Sequence, residues 1–247
     1  LRGGTDGSSG GSTLIENKYS DPHILNILGS MYSSGNTTLT YGLRPKAGSS
    51  GYVSSFSNFT GYRSAISIGQ GTFEFLSTTS ALNTAVGNDV STVVRMEVDP
   101  NGYVTKQYQP AFLAYHQAAD LNYAVGDTLA FPYTLYNIGN HYNTSNSTFT
   151  APVAGRYLFS INAQANYQSG VSGVPRAYWK INGNNVANNI HLRGSDNLST
   201  GSAADGLEQR SQTVIFNLSA NDTVKVVVGQ NRWDLFGANS FTGYLVG

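Results

Sequence analysis

Cysteine is absent from the 247 residues, which removes disulfide staples, thiol catalysis and cysteine-ligated zinc in one step. Charge is also scarce: 14 Lys and Arg stand against 14 Asp and Glu, together 11% of the chain. The cations occur singly, so there is no basic stripe to neutralise phosphates and no polybasic run for anionic lipid. Nucleic acid is not expected as a partner. No apolar stretch approaches the ~20 residues that span a bilayer, and no charged-then-apolar leader opens the chain, so membrane insertion is not expected either. The chain starts without methionine, at Leu1, in the run GGTDGSSGGST. Residues 1–13 therefore read as a flexible Gly/Ser linker at the cut end of something longer.

What the chain does contain is 28 Gly, 16 Tyr and 11 Phe, amid abundant Ser, Thr and Asn. That composition favours short strands joined by tight turns over amphipathic helices, and the fold class expected is all-β. From Leu14 to Tyr108 the apolar residues alternate in short runs: Leu39, Tyr41 and Leu43; Ile66 and Ile68; Phe73 and Phe75; Val94, Met96 and Val98. Period two marks half-buried strands. SSGN, AGSSG, GQG and DPNG separate them, with Gly and Asn supplying positive φ and Pro100 presetting a turn dihedral. The stretch SDPHILNIL fits a helical turn after an Asp21 cap or another strand, and periodicity leaves both open. Apolar residues are too widely spaced for these strands to seal a core alone. Residues 14–108 are expected to form an elongated β-rich shaft or neck that completes its core with neighbouring subunits.

After Pro110 the alternation is longer. GRYLFSINAQAN puts Tyr157, Phe159, Ile161, Ala163 and Ala165 on one face and mostly polar residues on the other. Further strands are expected at Ala111 to His116, Ala177 to Ile181, Asn188 to Arg193, Gln209 to Leu218, Thr223 to Val228 and Phe241 to Val246. About eight to ten strands without helices between them indicate a sandwich or barrel.

One spacing carries a family resemblance. Phe131, Asn137, Tyr142, Phe149, Gly155, Tyr157 and Phe159 follow one another with the gaps seen in the globular head of complement C-one-q, and only Ile161 departs, where the family has Phe or Tyr. The closing SFTGYLVG, with Phe241, Gly243 and Tyr244, resembles the family's last strand, and LSANDTVKVVV its penultimate one. The resemblance spans Gln109 to Gly247. It implies a ten-stranded antiparallel jelly roll of the complement and tumour-necrosis-factor type, assembled as a homotrimer, with most of the matched residues serving architecture. Outward aromatics such as Tyr178 and Tyr244 are candidates for the subunit contacts. Collagen repeats, the usual stalk of animal members, are missing. The upstream half, ending in RMEVDPNGYVTKQYQPAF from Arg95 to Phe112, instead resembles phage tail-fibre proteins in which a β-shaft leads into such a head.

Catalytic constellations are not found. His23, His116, His141 and His191 lie in none of the short spacings that chelate a metal. Some relatives hold calcium near the trimer axis, but Asn137 to Asn143 offers amides without a carboxylate, so no metal and no cofactor is expected. Asp196, Asp205 and Glu208 share a Gly/Ser-rich loop, where carboxylates are usually solvated turn residues, and no nucleophile elbow or phosphate loop is present. The chain is not expected to be an enzyme, although tail proteins include glycan depolymerases that use paired carboxylates.

Binding is better supported. Three segments exceed what a sandwich needs: Gln168 to Pro175, Gly194 to Gly206 and Gly229 to Ser240. In the third, Arg232, Trp233 and Asp234 are adjacent and suit a stacking platform flanked by charge. Trp233 capping the sandwich end, with Arg232 paired to Asp234, fits the same residues. His191, Arg193 and Asp196 form a second set, and Tyr167 and Arg176 flank the first segment. The expected role is the receptor-binding tip of a phage tail fibre on the virion, outside the host cell. It would grip a glycan or protein of the host surface and join other tail components through its N-terminal end. A decoration protein without a ligand would share the fold.

Overall fold

The computed structural model describes residues 13–20, 23–32, 34–117, 121–166, 176–186, 190–193, 207–230, 233–235 and 239–247. The chain divides into two compact units, Leu1–Gln107 and Tyr108–Gly247. Each described element is a strand, a bridge or a turn.

The first unit contains β1 (Thr13–Ser20), β2 (His23–Ser30), β3 (Thr37–Tyr41), β4 (Leu43–Pro45), β5 (Tyr52–Ser54), β6 (Ser64–Gly69), β7 (Thr72–Ser77), β8 (Asp89–Val90), β9 (Val93–Val98) and β10 (Val104–Thr105). Seven of these make one antiparallel sheet in the order β1-β2-β3-β6-β7-β9-β10, and β4-β5-β8 make a small second one. The ambiguous HILNIL stretch is a strand: Ile24, Ile27 and Gly29 are buried along β2. Between β6 and β7, Gln70 and Gly71 both take positive φ, the two-residue turn whose twist suits a hairpin. The DPNG turn closes on Asp99, whose Oδ1 accepts from the backbone N–H of Asn101 and of Tyr103, each at 2.8 Å.

The core of this unit is small. Leu43, Tyr52, Ala65 and Val90 form its cluster, with Met31, Leu76 and Leu82 against it. Burial pushes the Tyr52 phenol up to about 12. Hydroxyl groups fill much of the remaining interior, and several are satisfied locally: Thr40 Oγ1 donates to Leu43 O at 2.5 Å and Ser54 Oγ to Phe56 O at 2.7 Å. The fully buried Arg63 donates to Gly42 O at 3.1 Å and Phe56 O at 2.9 Å and lies 4.0 Å from the Phe56 ring centroid. Carbonyl dipoles and an aromatic face solvate this cation in place of water.

The second unit contains β11 (Ala111–His116), β12 (Leu121–Tyr123), β13 (Tyr133–Ile138), β14 (Tyr142–Asn143), β15 (Thr148–Thr150), β16 (Gly155–Asn166), β17 (Arg176–Ile181), β18 (Asn184–Asn185), β19 (His191–Arg193), β20 (Leu207–Leu218), β21 (Thr223–Gln230), β22 (Trp233–Leu235) and β23 (Asn239–Leu245). One sheet runs β12-β22-β16-β23-β11-β13, with β20 on the other side of β16; the other runs β14-β15-β21-β17-β18, with β19 also on β17. The described strands thus outnumber the ten expected. The excess consists of two- and three-residue ladders such as β14, β18 and β22, too short to show a period in sequence. Asn188 to Arg193 contracts to His191–Arg193 among the described residues.

Aromatic side chains join the two sheets. Phe159 on β16 has its ring within 5.4–6.5 Å of the rings of Phe112, Phe149, Tyr157, Trp179, Phe216 and Phe241. Trp179 Nε1 donates to Gln212 Oε1 at 2.7 Å, so its polar edge is satisfied within the sandwich. Gly243 pairs with Phe112 on one side and Phe159 on the other. A Cβ there would meet both rings, at 2.5 Å from Phe159 and 2.8 Å from Phe112. The strand order needs bare backbone at that point.

The remaining motif residues are structural as well. The Asn137 carboxamide spans its turn, donating to Tyr142 O at 2.8 Å and accepting from Tyr142 N at 3.1 Å. Tyr142 donates its hydroxyl to Phe131 O at 3.1 Å, and Tyr157 donates its own to Val153 O at 2.8 Å. Asn182 and Gly183 form the hairpin between β17 and β18 with positive φ at both. Asn182 also donates to Asp222 Oδ1 at 2.7 Å and accepts from Thr223 N at 2.9 Å.

Both tryptophans of the chain, Trp179 and Trp233, lie in the second unit, so their fluorescence reports its unfolding alone. In urea, Gly243→Ala is expected to destabilise this unit by about 1–3 kcal/mol, because two packed rings must shift. Gly155→Ala is expected to cost less. Its added methyl meets the far end of the Leu245 side chain, at 2.8 Å, rather than a ring held on several sides.

Candidate functional site

Three of the connections between the two sheets leave from one end of the second unit, and the β13–β14, β15–β16 and β20–β21 crossings lie at the other. The chain leaves the larger sheet at Asn166 and enters the smaller at Arg176; it leaves the smaller at Arg193 and returns at Leu207; it leaves again at Gln230 and returns at Trp233. These anchors are register partners of one another: Asn166 with Leu207 and Asp234, and Arg176 with Arg193 and Gln230. A rigid pair of sheets therefore presents three sheet-to-sheet connections from one rim.

Of the sequence-selected residues, Arg176, His191 and Arg193 come together here. Arg176 and Arg193 are Cα partners across β17 and β19, and Tyr178 is the partner of His191. The Tyr178 and His191 rings lie 5.3 Å apart, and Tyr178 covers Gly229, where any Cβ would overlap its ring. Arg193 is exposed and Arg176 half-buried. Both His191 ring nitrogens and Arg176 Nε are shielded from solvent without a hydrogen-bond partner among the described residues. The described charged side chains along β17 and β19 at this rim are thus cationic. Such a surface suits an anionic or hydroxyl-rich ligand, through charge-assisted and bidentate hydrogen bonds. Tyr167, Asp196 and Arg232 lie outside the described residues.

Trp233 corrects the stacking-platform expectation. It is fully buried among the core residues, on β22, which pairs with β12 and β16. The supposed long loop from Gly229 to Ser240 is largely strand: β21 extends to Gln230, β22 spans Trp233–Leu235 and β23 begins at Asn239. A three-residue strand is too short to leave a readable alternation, so the tryptophan's inward direction was not visible in sequence. Asp234 pairs through its backbone with Asn122 and Asn166. Glu208 is likewise a strand residue, paired with Ala165 on β16, and not part of the loop that was thought to hold it with Asp196 and Asp205.

The histidines are dispersed. His23 Nδ1 accepts from Ser57 N at 3.2 Å in the first unit. His116 is buried near the rim on β11, facing the core side with Phe112 and Ala114, and burial holds its pKa below the ordinary 6.5. Among the described residues, no three His, Asp or Glu side chains are grouped as a metal cage. No helix among them is long and apolar enough to cross a membrane.

Two sheets closed over an aromatic core define an all-β jelly-roll head. The C1q domain model matches residues 111–246, more than half of the chain, and the chain belongs to the C1q domain family. The chain is similar to the solved globular domain of zebrafish complement 1qA protein, at 15% identity and a TM-score of 0.43, over 56% of this chain and 98% of that one. No curated protein matches.

Two outcomes follow. Trp233→Ala is expected to lower the stability of the second unit by about 3–5 kcal/mol, the cost of emptying a buried aromatic site; a surface platform would leave the urea midpoint unmoved. For His116, the unfolded side chain takes up a proton below 6.5 whereas the folded one resists it, so stability is full above that value and declines as pH falls through it. Melting temperatures of the second unit between pH 7.5 and 5.5 should fall more steeply for the native chain than for His116→Gln.

Proposed function

We propose that this chain is the receptor-binding tip of a phage tail fibre, a non-enzymatic homotrimer that attaches the virion to a host-cell surface glycan or protein. The observation that carries the reading is the strand pairing that brings Arg176, His191 and Arg193 together on one rim, from which three of the sheet-to-sheet connections leave. Membership of the C1q domain family supports a head of adhesive type. The β-rich first unit, with its DPNG turn ahead of the head in sequence, supports placement at the end of a fibre, joined through its N-terminal side to other tail components.

Trimeric assembly is supported by the outward side of the larger sheet of the second unit. Tyr133, Leu135, Tyr136, Ile215 and Tyr244 are all exposed there, and Ile215, Leu158 and Tyr244 are linked by register across β20, β16 and β23. Tyr244 fits the expected role in subunit contacts, whereas Tyr178 belongs to the other sheet and lies over Gly229. Three copies of one weak site on a stiff trimer, and many trimers per particle, turn modest affinity into firm attachment through effective concentration.

Light scattering of the full chain at low micromolar concentration is expected to give a mass near three times 26.4 kDa. The trimer should be retained on one member of an array of bacterial surface polysaccharides and outer-membrane proteins. Arg176→Ala combined with Arg193→Ala should reduce that retention at least about tenfold, or ~1.4 kcal/mol. Equal retention of native and double-variant trimers would remove the rim from the mechanism. Release of reducing ends from a retained polysaccharide would show catalysis and overturn the non-enzymatic reading.

A further inference from the structure

The large sheet of the first unit carries more apolar residues on its open face than on its packed one. On the side turned toward the small sheet, Thr38, Thr40 and Ser67 are buried beside Ile27 and Ala65. On the other side, Val104 is 55% exposed, Leu39 53%, Ile15 48%, Phe73 48%, Ile68 44% and Phe75 43%. Strand register lines these outward residues into two rows. One runs Ile15, Leu28, Leu39, Ile66, Phe75, Met96 across six strands. The other runs Thr37, Ile68, Phe73, Val98, Val104. Neither row contains a charged residue, and Glu74 and Glu97, which alternate with them, project to the opposite side.

An antiparallel sheet with one solvated face ordinarily puts its apolar residues inward and its polar ones outward. Here the better hydrophobic face is the open one. The six exposed side chains amount to on the order of 500 Å² of contiguous apolar surface, at the upper end of what a monomer carries. Packing two such faces together removes about 1,000 Å² from water, the lower bound for a specific interface, before the half-buried members of each row are added.

We infer that this face is where copies of the chain pack against one another, so that the main hydrophobic core of the first unit forms between subunits. A second copy fits better than a lipid surface or an unlike partner. The rows themselves hold no Lys or Arg to attract anionic headgroups; the cation beside them, Arg95, is bonded within its own chain to Ser77 Oγ at 2.8 Å and Thr78 O at 3.1 Å, so two copies of the rows meet without burying an unpaired ion. The inference rests on the first unit alone and is independent of receptor adhesion and of how the second unit associates.

Absence of native cysteine makes the test direct. Single variants Leu39→Cys and Phe75→Cys of the full chain, with Ser49→Cys on an exposed turn as control, are treated at low micromolar concentration with a short bis-maleimide. Both face variants are expected to give covalent multimers at least about tenfold faster than Ser49→Cys. Adding Ile68→Lys to Leu39→Cys should abolish the reaction while far-ultraviolet circular dichroism stays unchanged, since residue 68 is half-exposed within a single chain. Cross-linking no faster than at Ser49 in a chain whose mass is that of a trimer would overturn the inference and leave the trimer standing, held elsewhere. A monomeric native chain would overturn both and assign the face to some other partner.

Discussion

The second unit is organised around one steric requirement: the rings of Phe112 and Phe159 need the space above residue 243. These three residues are register neighbours on β11, β23 and β16, so the bare backbone of Gly243 is roofed by an aromatic from each side. With the two rings leaning inward over it, Phe241, Phe149, Trp179 and Phe216 pack around Phe159 and the smaller sheet is drawn onto the larger. A side chain at 243 would push both rings out of the layer that the whole sandwich shares. The strands from which the rim connections leave are fixed against one another by this packing, because they belong to the two sheets that Phe159 joins.

The two units solve the burial problem differently. In the second, aromatics and valines fill the space between sheets, and the Trp179 and Tyr142 donors find specific acceptors there. In the first, threonine and serine residues and the Arg63 guanidinium occupy much of the interior, with Thr40, Ser54 and Arg63 bonded to local carbonyls. Hydroxyl-lined interiors give little hydrophobic free energy per residue. That is why widely spaced apolar residues such as Leu39, Ile66 and Phe75 matter more on the outer face than their number suggests.

Much of the architecture could be read from the sequence because its signals are local or regularly spaced. The alternation in GRYLFSINAQAN gave the right inward set from Tyr157 to Ala163, and the spaced Phe131 to Phe159 motif led to the family. The DPNG and NGNN turns formed as their Asn and Gly residues require. What could not be read depended on partners distant in sequence. HILNIL became a strand because β1 and β3 flank it. Trp233 turned inward because β12 and β16 close on either side of so short a strand. That the open face of the first sheet is its more apolar one was invisible in the alternation itself, since period two separates two faces without saying which is inside. At the rim, His191 and Arg193 were legible as one set and Arg176 as part of another; strand pairing joined the two.

The Asn182–Gly183 hairpin has a consequence for how the protein ages. Asparagine followed by glycine is the pair most prone to lose its amide by ring closure, which requires the backbone nitrogen of the glycine to reach the side-chain carbonyl carbon. Here that carboxamide is tethered to Asp222 and Thr223 across the sheet, so ring closure must wait for the hairpin to open. Conversion to a carboxylate would then set a second negative charge against Asp222, whose own carboxyl is held below its ordinary range by the very amide that is lost. The slow appearance of one extra negative charge in stored protein would act as a clock for local opening at β17 and β18.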